Sequence, residues 1–399
     1  MSLTRTAGSG AACATIAQVS RTTIRGAHAR YARRVGVFHR AGIQVNGPAP
    51  WDLQLRDAAT WRRMMTQGTL GFGESYMDGQ WDCERLDELV CRLLRADADH
   101  VLPPRLLPHW LAQVLRHALV NLQSVSRAFR VAERHYDLGN DLFAAMLDSR
   151  MVYSCAYWPR AATLEQAQEH KLELIGHKLE LRPGERLLDV GCGWGGLAEY
   201  AARHFGCQVV GATVSKEQAA LARERCAGLP VTVELADWRS LQGHWDKIVS
   251  VGMFEHVGPK NYAGYFRRMR ELLADEGLFL LHTIGSERTE RATNAWTERY
   301  IFPNGKLPSA VEIARAAEGR FVIEDWHNFG PDYDRTLLCW WQRFERAWPQ
   351  LRARYGERFF RMWKFYLLSS AGFFRSHQGQ LWQIVLAPRG RSREYRSVR

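Results

Sequence analysis

Glu185-Arg-Leu-Leu-Asp-Val-Gly-Cys-Gly-Trp-Gly-Gly196 decides how this chain is read. Residues 186–190 have the apolar pattern of a strand. The glycines predict a tight turn, and the Ala-rich run 197–205 predicts the helix that follows. Glycine lacks the side-chain bulk and the φ restriction that hold a backbone away from a ligand. A nucleotide-type cofactor can therefore lie against Gly191 and Gly193, near the amides at the helix start. Several nucleotide-binding families share a G-x-G-x-G turn, and such a turn can also be purely structural. Asp189, immediately before the glycines, favours S-adenosylmethionine, whose sulfonium and ammonium groups are cationic.

Downstream of this strand the pattern alternates. Further strands are predicted at 208–213, 231–235, 247–251, 277–283, 321–325 and 381–387, with helices at 216–227, 261–274, 334–347 and 357–370. That succession predicts an α/β fold with a largely parallel sheet covered on both faces. Open sheets of this kind bind ligands beyond the carboxyl ends of their strands. Gly191, Thr213, Asp237, Glu255 and His282 all end or follow a predicted strand, so they converge on one edge. Residues 285–318, charged and aromatic, read as an insertion covering the site.

Upstream, residues 35–118 read as mostly helical, with helices at 58–67 and 85–95 separated by a break at Gly68-Thr-Leu-Gly-Phe-Gly73. A Pro-rich stretch at 102–108 interrupts the pattern, and 110–122 resumes helical spacing. The last is either a packed amphipathic helix or one presented to acyl chains.

The chain has 399 residues, room for one very large domain or two ordinary ones, and a formal charge of +12. Residues 1–51 carry seven arginines and no acid, and 388–399 carry five arginines against Glu394, so the ends hold +11 of that charge. A nucleic-acid enzyme more often carries a basic stripe on its folded body. Flexible basic tails suit either an anionic membrane surface or plain solvation. Eight cysteines without a CxxC pair give no zinc pattern and fit a reducing cytoplasm. No apolar run approaches the ~20 residues that span a bilayer.

The motifs resemble those of the bacterial cyclopropane-fatty-acyl-phospholipid synthases. The resemblance runs from about Ala41 to Ala387. It rests on His135-Tyr-Asp-Leu-Gly-Asn-Asp-Leu-Phe143, Tyr153-Ser-Cys-Ala-Tyr-Trp158, Val251-Gly-Met-Phe-Glu-His-Val-Gly-Pro-Lys-Asn-Tyr262, Leu281-His-Thr-Ile-Gly285 and Gly330-Pro-Asp-Tyr-Asp-Arg-Thr336, with Gly71-Phe-Gly-Glu-Ser-Tyr-Met-Asp-Gly79 upstream. It implies a Rossmann-like class I methyltransferase sheet with a smaller, mostly helical N-terminal domain. The divisions it implies are a basic disordered extension at 1–34, a lipid-binding domain at 35–118, a linker at 119–134, a catalytic domain at 135–387 and a basic tail at 388–399.

The activity implied is methylene transfer from S-adenosylmethionine to a cis double bond in a membrane phospholipid, by a cytoplasmic protein peripherally bound to the inner face of the bacterial membrane. No nucleic acid or metal is expected, and a homodimer is left open. The cofactor pocket would use Tyr153, Ser154, Asp189, Gly191, Gly193, Thr213, Gln218, Asp237 and Trp238. Cys155, Glu255, His282, Ile284 and Tyr333 would surround a bicarbonate ion that deprotonates a carbocation. Taken singly, Cys155 reads as a small buried hydrophobe, His282 as a core histidine and Glu255 as a helix cap. Ser370 stands where many members carry cysteine and is read as structural. The alternatives are a related methyltransferase acting on another acyl or amine substrate, and a lipid-binding protein without turnover.

Overall fold

The computed structural model describes residues 36–57, 59–97, 121, 123, 139–290 and 294–399. The expected extension at 1–34, the Pro-rich stretch and helix at 102–122 apart from Asn121, and the linker apart from Asn121 and Gln123 lie outside these residues.

Seven strands form the main sheet: β3 (Arg186–Val190), β4 (Gln208–Thr213), β5 (Val231–Leu235), β6 (Trp245–Val251), β7 (Leu273–Ser286), β8 (Phe321–Asn328) and β9 (Gly379–Pro388). Two short strands, β1 (Gln54–Leu55) and β2 (Trp81–Asp82), pair separately near the N-terminus. The main sheet runs in the order β5-β4-β3-β6-β7-β9-β8. All neighbours up to β7 are parallel, and β9 is antiparallel to both β7 and β8. Chain direction across the sheet reverses between β3 and β6, the place where open α/β sheets form their ligand crevice. Leu187, Leu188 and Val190 are buried, as a central strand covered on both faces requires.

Helices α1 (Ala59–Met77), α2 (Leu86–Arg95), α3 (Asn140–Met146), α4 (Leu164–Lys178), α5 (Gly196–Phe205), α6 (Lys216–Arg225), α7 (Tyr262–Leu272), α8 (Ala295–Tyr300), α9 (Ala310–Ala317) and α10 (Pro331–Arg375) surround the sheet. Their starts carry local signals. Thr163 and Ser215 accept backbone N–H bonds at the heads of α4 and α6, and Ser309 with Glu312 forms a capping box on α9.

One expectation is narrowed here: the break expected at 68–73 is Gly68 alone, whose φ of 58° leaves helical geometry, and beyond that kink α1 runs on to Met77. The glycines beyond it answer packing, since a Cβ on Gly73 would collide with the Trp296 indole of α8. The two expected late helices are present, joined within α10 across a kink at Gly356 with φ 74°.

The C-terminal segment is also not a flexible tail. The Arg391 side chain is 2% exposed and pairs with Glu180 at 2.9 Å. Arg399 meets Asp325, which also pairs with the buried Lys178 at 3.1 Å. Deleting 389–399 is therefore expected to cost on the order of 2 kcal/mol of stability by stripping partners from largely buried charges. An unchanged denaturation midpoint for the truncated protein would refute this.

Candidate active site

The strand ends, the turn after β3 and the 151–154 segment line a cavity that opens to solvent. Its wall includes Tyr153, Ser154, Asp189, Gly191, Gly193, Thr213, Gln218, Asp237 and Trp238, so all nine residues expected for the cofactor come together. Gly191, at φ 92°, is required twice. The left-handed backbone disfavours a side chain, and a Cβ there would lie 2.7 Å from Met253 Cβ. The amides of Gly191 and Cys192 both donate to the Ala212 carbonyl at 2.9 Å. The turn therefore offers a ligand close approach more than donors.

Thr213 and Gln218 are joined directly, Thr213 Oγ1 donating to Gln218 Oε1 at 2.8 Å, while Ser215 caps α6 beneath them. With its oxygen so engaged, Gln218 has its Nε2 donors left for a ligand in the cavity it lines. Asp237 receives Arg239 Nη1 on both oxygens at 2.9 Å. Arg239 also donates to the Gln123 carbonyl at 2.6 Å and lies 4.5 Å from the Trp238 ring centre. Gln123 in turn donates to the Asn304 carbonyl at 2.6 Å, and both residues line the cavity with Pro303.

The five expected catalytic residues do not line this cavity, although Ser154 and His256, neighbours of Cys155 and Glu255, do. Glu255 occupies the turn after β6, where its Oε1 accepts the Ile284 amide of β7 at 2.6 Å. Burial raises the Glu255 pKa, the Ile284 bond opposing it, and Oε2 is buried without a hydrogen-bond partner among the described residues. His282, two residues before Ile284 on β7, places Nδ1 3.4 Å from Gln383 Nε2, and its buried Nε2 likewise has no partner. Burial holds this imidazole neutral, well below its ordinary pKa, with Lys171 and Lys178 adding to the effect.

Cys155 is fully buried, its thiol donates to the Ala156 carbonyl, and burial holds it protonated. Its loop is clamped by the first turns of α10. Asp332 accepts the Trp158 amide at 2.8 Å, and Thr336 Oγ1 accepts the Ala156 amide at 3.2 Å and the Trp158 indole at 2.9 Å. Tyr333 lies in the same turn, packed against Phe374 and Trp340. Phe329 joins the parts, with ring centres 5.9 Å from His282 and 5.4 Å from Tyr157.

Sequence reasoning missed Lys171, Gln123, Arg239, His256 and Asn304. For Lys171 a signal existed. Leu164, Ala167, Gln168, Lys171, Leu172, Ile175 and Lys178 form the buried stripe of α4, so two lysines stand on an inward face. For Gln123 and Asn304 none existed, because only the fold brings them to Arg239.

Residues 123–384 match the family model described as mycolic acid cyclopropane synthetase. The chain is 52% identical over 354 residues to a cyclopropane-fatty-acyl-phospholipid synthase of Escherichia coli strain K12, covering 88% of this chain and 91% of that protein. The solved cyclopropane synthase MmaA2 of Mycobacterium tuberculosis is 33% identical, with a TM-score of 0.62 over 65% of this chain and 98% of its own. The mycolic acid cyclopropane synthase CmaA1, solved with S-adenosylhomocysteine and a cationic detergent, is 34% identical, with a TM-score of 0.61 over 65% and 97%. The fold is that of the class I methyltransferases. The chain belongs to the mycolic acid cyclopropane synthetase family and is an enzyme of its S-adenosylmethionine-dependent methyltransferase class.

Proposed function

We propose that this enzyme adds a methylene group from S-adenosylmethionine across the cis double bond of unsaturated acyl chains in membrane phospholipids. The observation that carries the reading is the near-full-length identity to the Escherichia coli synthase, N-terminal helices included. When bound, S-adenosylmethionine supplies an electrophilic methyl group. An alkene is a weak nucleophile, so alignment supplies much of the rate. The nine cofactor-wall residues support that role. Attack leaves a carbocation that water would quench, and a proton must leave the added methyl for the ring to close.

The buried shell of Cys155, Phe329 and Tyr333 suits exclusion of water. Among the described residues Glu255 and His282 each keep a buried polar atom without a partner, one a carboxylate acceptor and the other a nitrogen of a neutral imidazole. That donor and acceptor set fits bicarbonate, which Glu255 and His282 would hold with Tyr333, Cys155 and the Ile284 strand around it. The ion would supply the base, while the protein carboxylate orients it instead of meeting the cation directly. Lipid mass spectrometry after expression in a host lacking cyclopropane lipids tests the whole reading. One methylene of added mass with loss of the alkene signal is expected, and unaltered lipids would reject it.

The same reading places the enzyme peripherally on the cytoplasmic face of a membrane. Among the described residues no helix is long and apolar enough to cross one. Since Arg391 and Arg399 are engaged by the body, electrostatic adsorption falls chiefly to residues 1–34. Removing 1–34 should weaken co-sedimentation with anionic vesicles at low salt. The difference should shrink as salt approaches 0.1 M, where screening acts over about 10 Å. Equal binding at low salt would defeat this part.

A further inference from the structure

Lys171 is fully buried in α4, and a buried ammonium is costly unless its surroundings use it. Its Nζ donates to Ser154 Oγ at 2.9 Å. An ammonium can only donate, so Ser154 Oγ must accept, which leaves the hydroxyl hydrogen to donate elsewhere. Among the described residues Ser154 Oγ meets Lys171 alone. Asp189 also lines the cavity, and its buried Oδ2 has no hydrogen-bond partner among the described residues. One wall of the cavity therefore presents a donor backed by a cation together with a carboxylate acceptor. A zwitterion with one carboxylate and one ammonium complements that pair.

We propose that Lys171 is a positioning residue for the amino-acid end of S-adenosylmethionine: it fixes the Ser154 hydroxyl as a donor to the cofactor carboxylate, while Asp189 in the same wall meets the cofactor ammonium. The inference rests on the reading that this cavity takes that cofactor. The groups facing Lys171 are Asp148, Cys155, Asp189 and His282, and Asp189 also faces the thiols of Cys192 and Cys226 and the Tyr265 phenol. The three thiols and the phenol stay protonated through burial, which raises each pKa, and burial keeps His282 neutral. Asp148 accepts the amides of Arg150 and Val152, which holds the segment leading to Ser154. Burial pushes Asp189 up to about 7, and among the described residues it is Lys171 that opposes that rise. Burial likewise pulls Lys171 down to about 8 against the attraction of Asp148 and Asp189. Removing the lysine therefore drives Asp189 further toward its protonated form, in which it is a poorer acceptor for an ammonium.

The test compares two ligands on full-length Lys171→Met by calorimetry. S-adenosylhomocysteine carries the amino-acid end, and 5′-methylthioadenosine lacks it. Affinity for the first should fall by about tenfold or more, the scale of a charge-assisted contact. Affinity for the second should stay within about twofold, since nothing it touches has changed. Because S-adenosylhomocysteine binding weakens as Asp189 protonates, affinity falls as pH is lowered through the Asp189 pKa. In Lys171→Met that fall should move to higher pH. If Lys171→Met does not fold, Ser154→Ala, which removes only the hydroxyl, should give the same selective loss. Equal losses for both ligands, or an unchanged ratio between them, would overturn the proposal. So would a defect seen only as a greater bicarbonate requirement. Wild-type protein that binds neither ligand would instead overturn the cofactor reading beneath it.

Discussion

Glu255→Gln is expected to lower turnover by about a hundredfold or more, the scale of lost acid–base assistance, while cofactor affinity stays near wild type. Glutamine keeps the shape of the side chain and an oxygen able to accept the Ile284 amide, so the link between the turn after β6 and strand β7 is retained. What changes is Oε2, the buried acceptor without a partner, which becomes a donor. Glu255 does not line the cofactor cavity, which is why S-adenosylhomocysteine binding should survive. Single-turnover conversion of unsaturated phospholipid, paired with calorimetry, measures both quantities. Wild-type turnover in the variant would remove Glu255 from the chemistry. Under verified carbonate depletion, added bicarbonate should stimulate wild type and leave the variant unmoved, and indifference of wild type would point to a protein side chain as the base.

Arg375→Met is expected to destabilise the protein by about 2–3 kcal/mol, somewhat below the ~3–5 kcal/mol of a fully buried pair. Arg375 joins three places. It contacts Asp87 of α2 at 2.6 Å and both oxygens of Asp334 at 2.8 and 2.9 Å, with Glu88 3.5 Å away. The Asp87 side chain is 4% exposed against 20% for Arg375, so the loss falls on a nearly buried carboxylate that keeps Arg85 as its remaining partner. The discount from the fully buried value reflects the solvent reaching Arg375 and Asp334. Close approach of the same helices depends on Gly372, where a Cβ would collide with the Asp87 carbonyl of α2. Urea denaturation of Arg375→Met, Asp334→Asn and the double variant should show a coupling of at least about 1 kcal/mol. Additive losses would mean that Arg375 and Asp334 do not act as a pair.

A good deal of this was present in local sequence. The seven main strands have hydrophobic runs bounded by turn residues, and such runs form strands whatever they later pair with. The turn at Gly191 and Gly193 was legible because its requirement is local: positive φ and a bare backbone after a strand. Asp189, Gly191, Gly193, Thr213 and Asp237 follow from strand ends and turns meeting at one sheet edge, whereas Tyr153, Ser154, Gln218 and Trp238 were reached only through the family resemblance.

Only tertiary structure decided the rest. Strand β9 enters the sheet between β7 and β8, a placement set by long-range pairing and by no pattern within residues 379–388. The arginines at 391 and 399 looked like solvated charge because a sequence shows their sign but not the buried acids, Asp325 above all, that receive them. The N-terminal helices read as a separate unit. Yet Trp81, Leu86 and Leu89 share one core with Phe143, Trp340 and Trp363, since apolar surface packs wherever the fold brings it together. Lys171, buried in the cofactor wall, shows the same limit at a single residue: its charge is written in the sequence, but its burial comes from what packs around it.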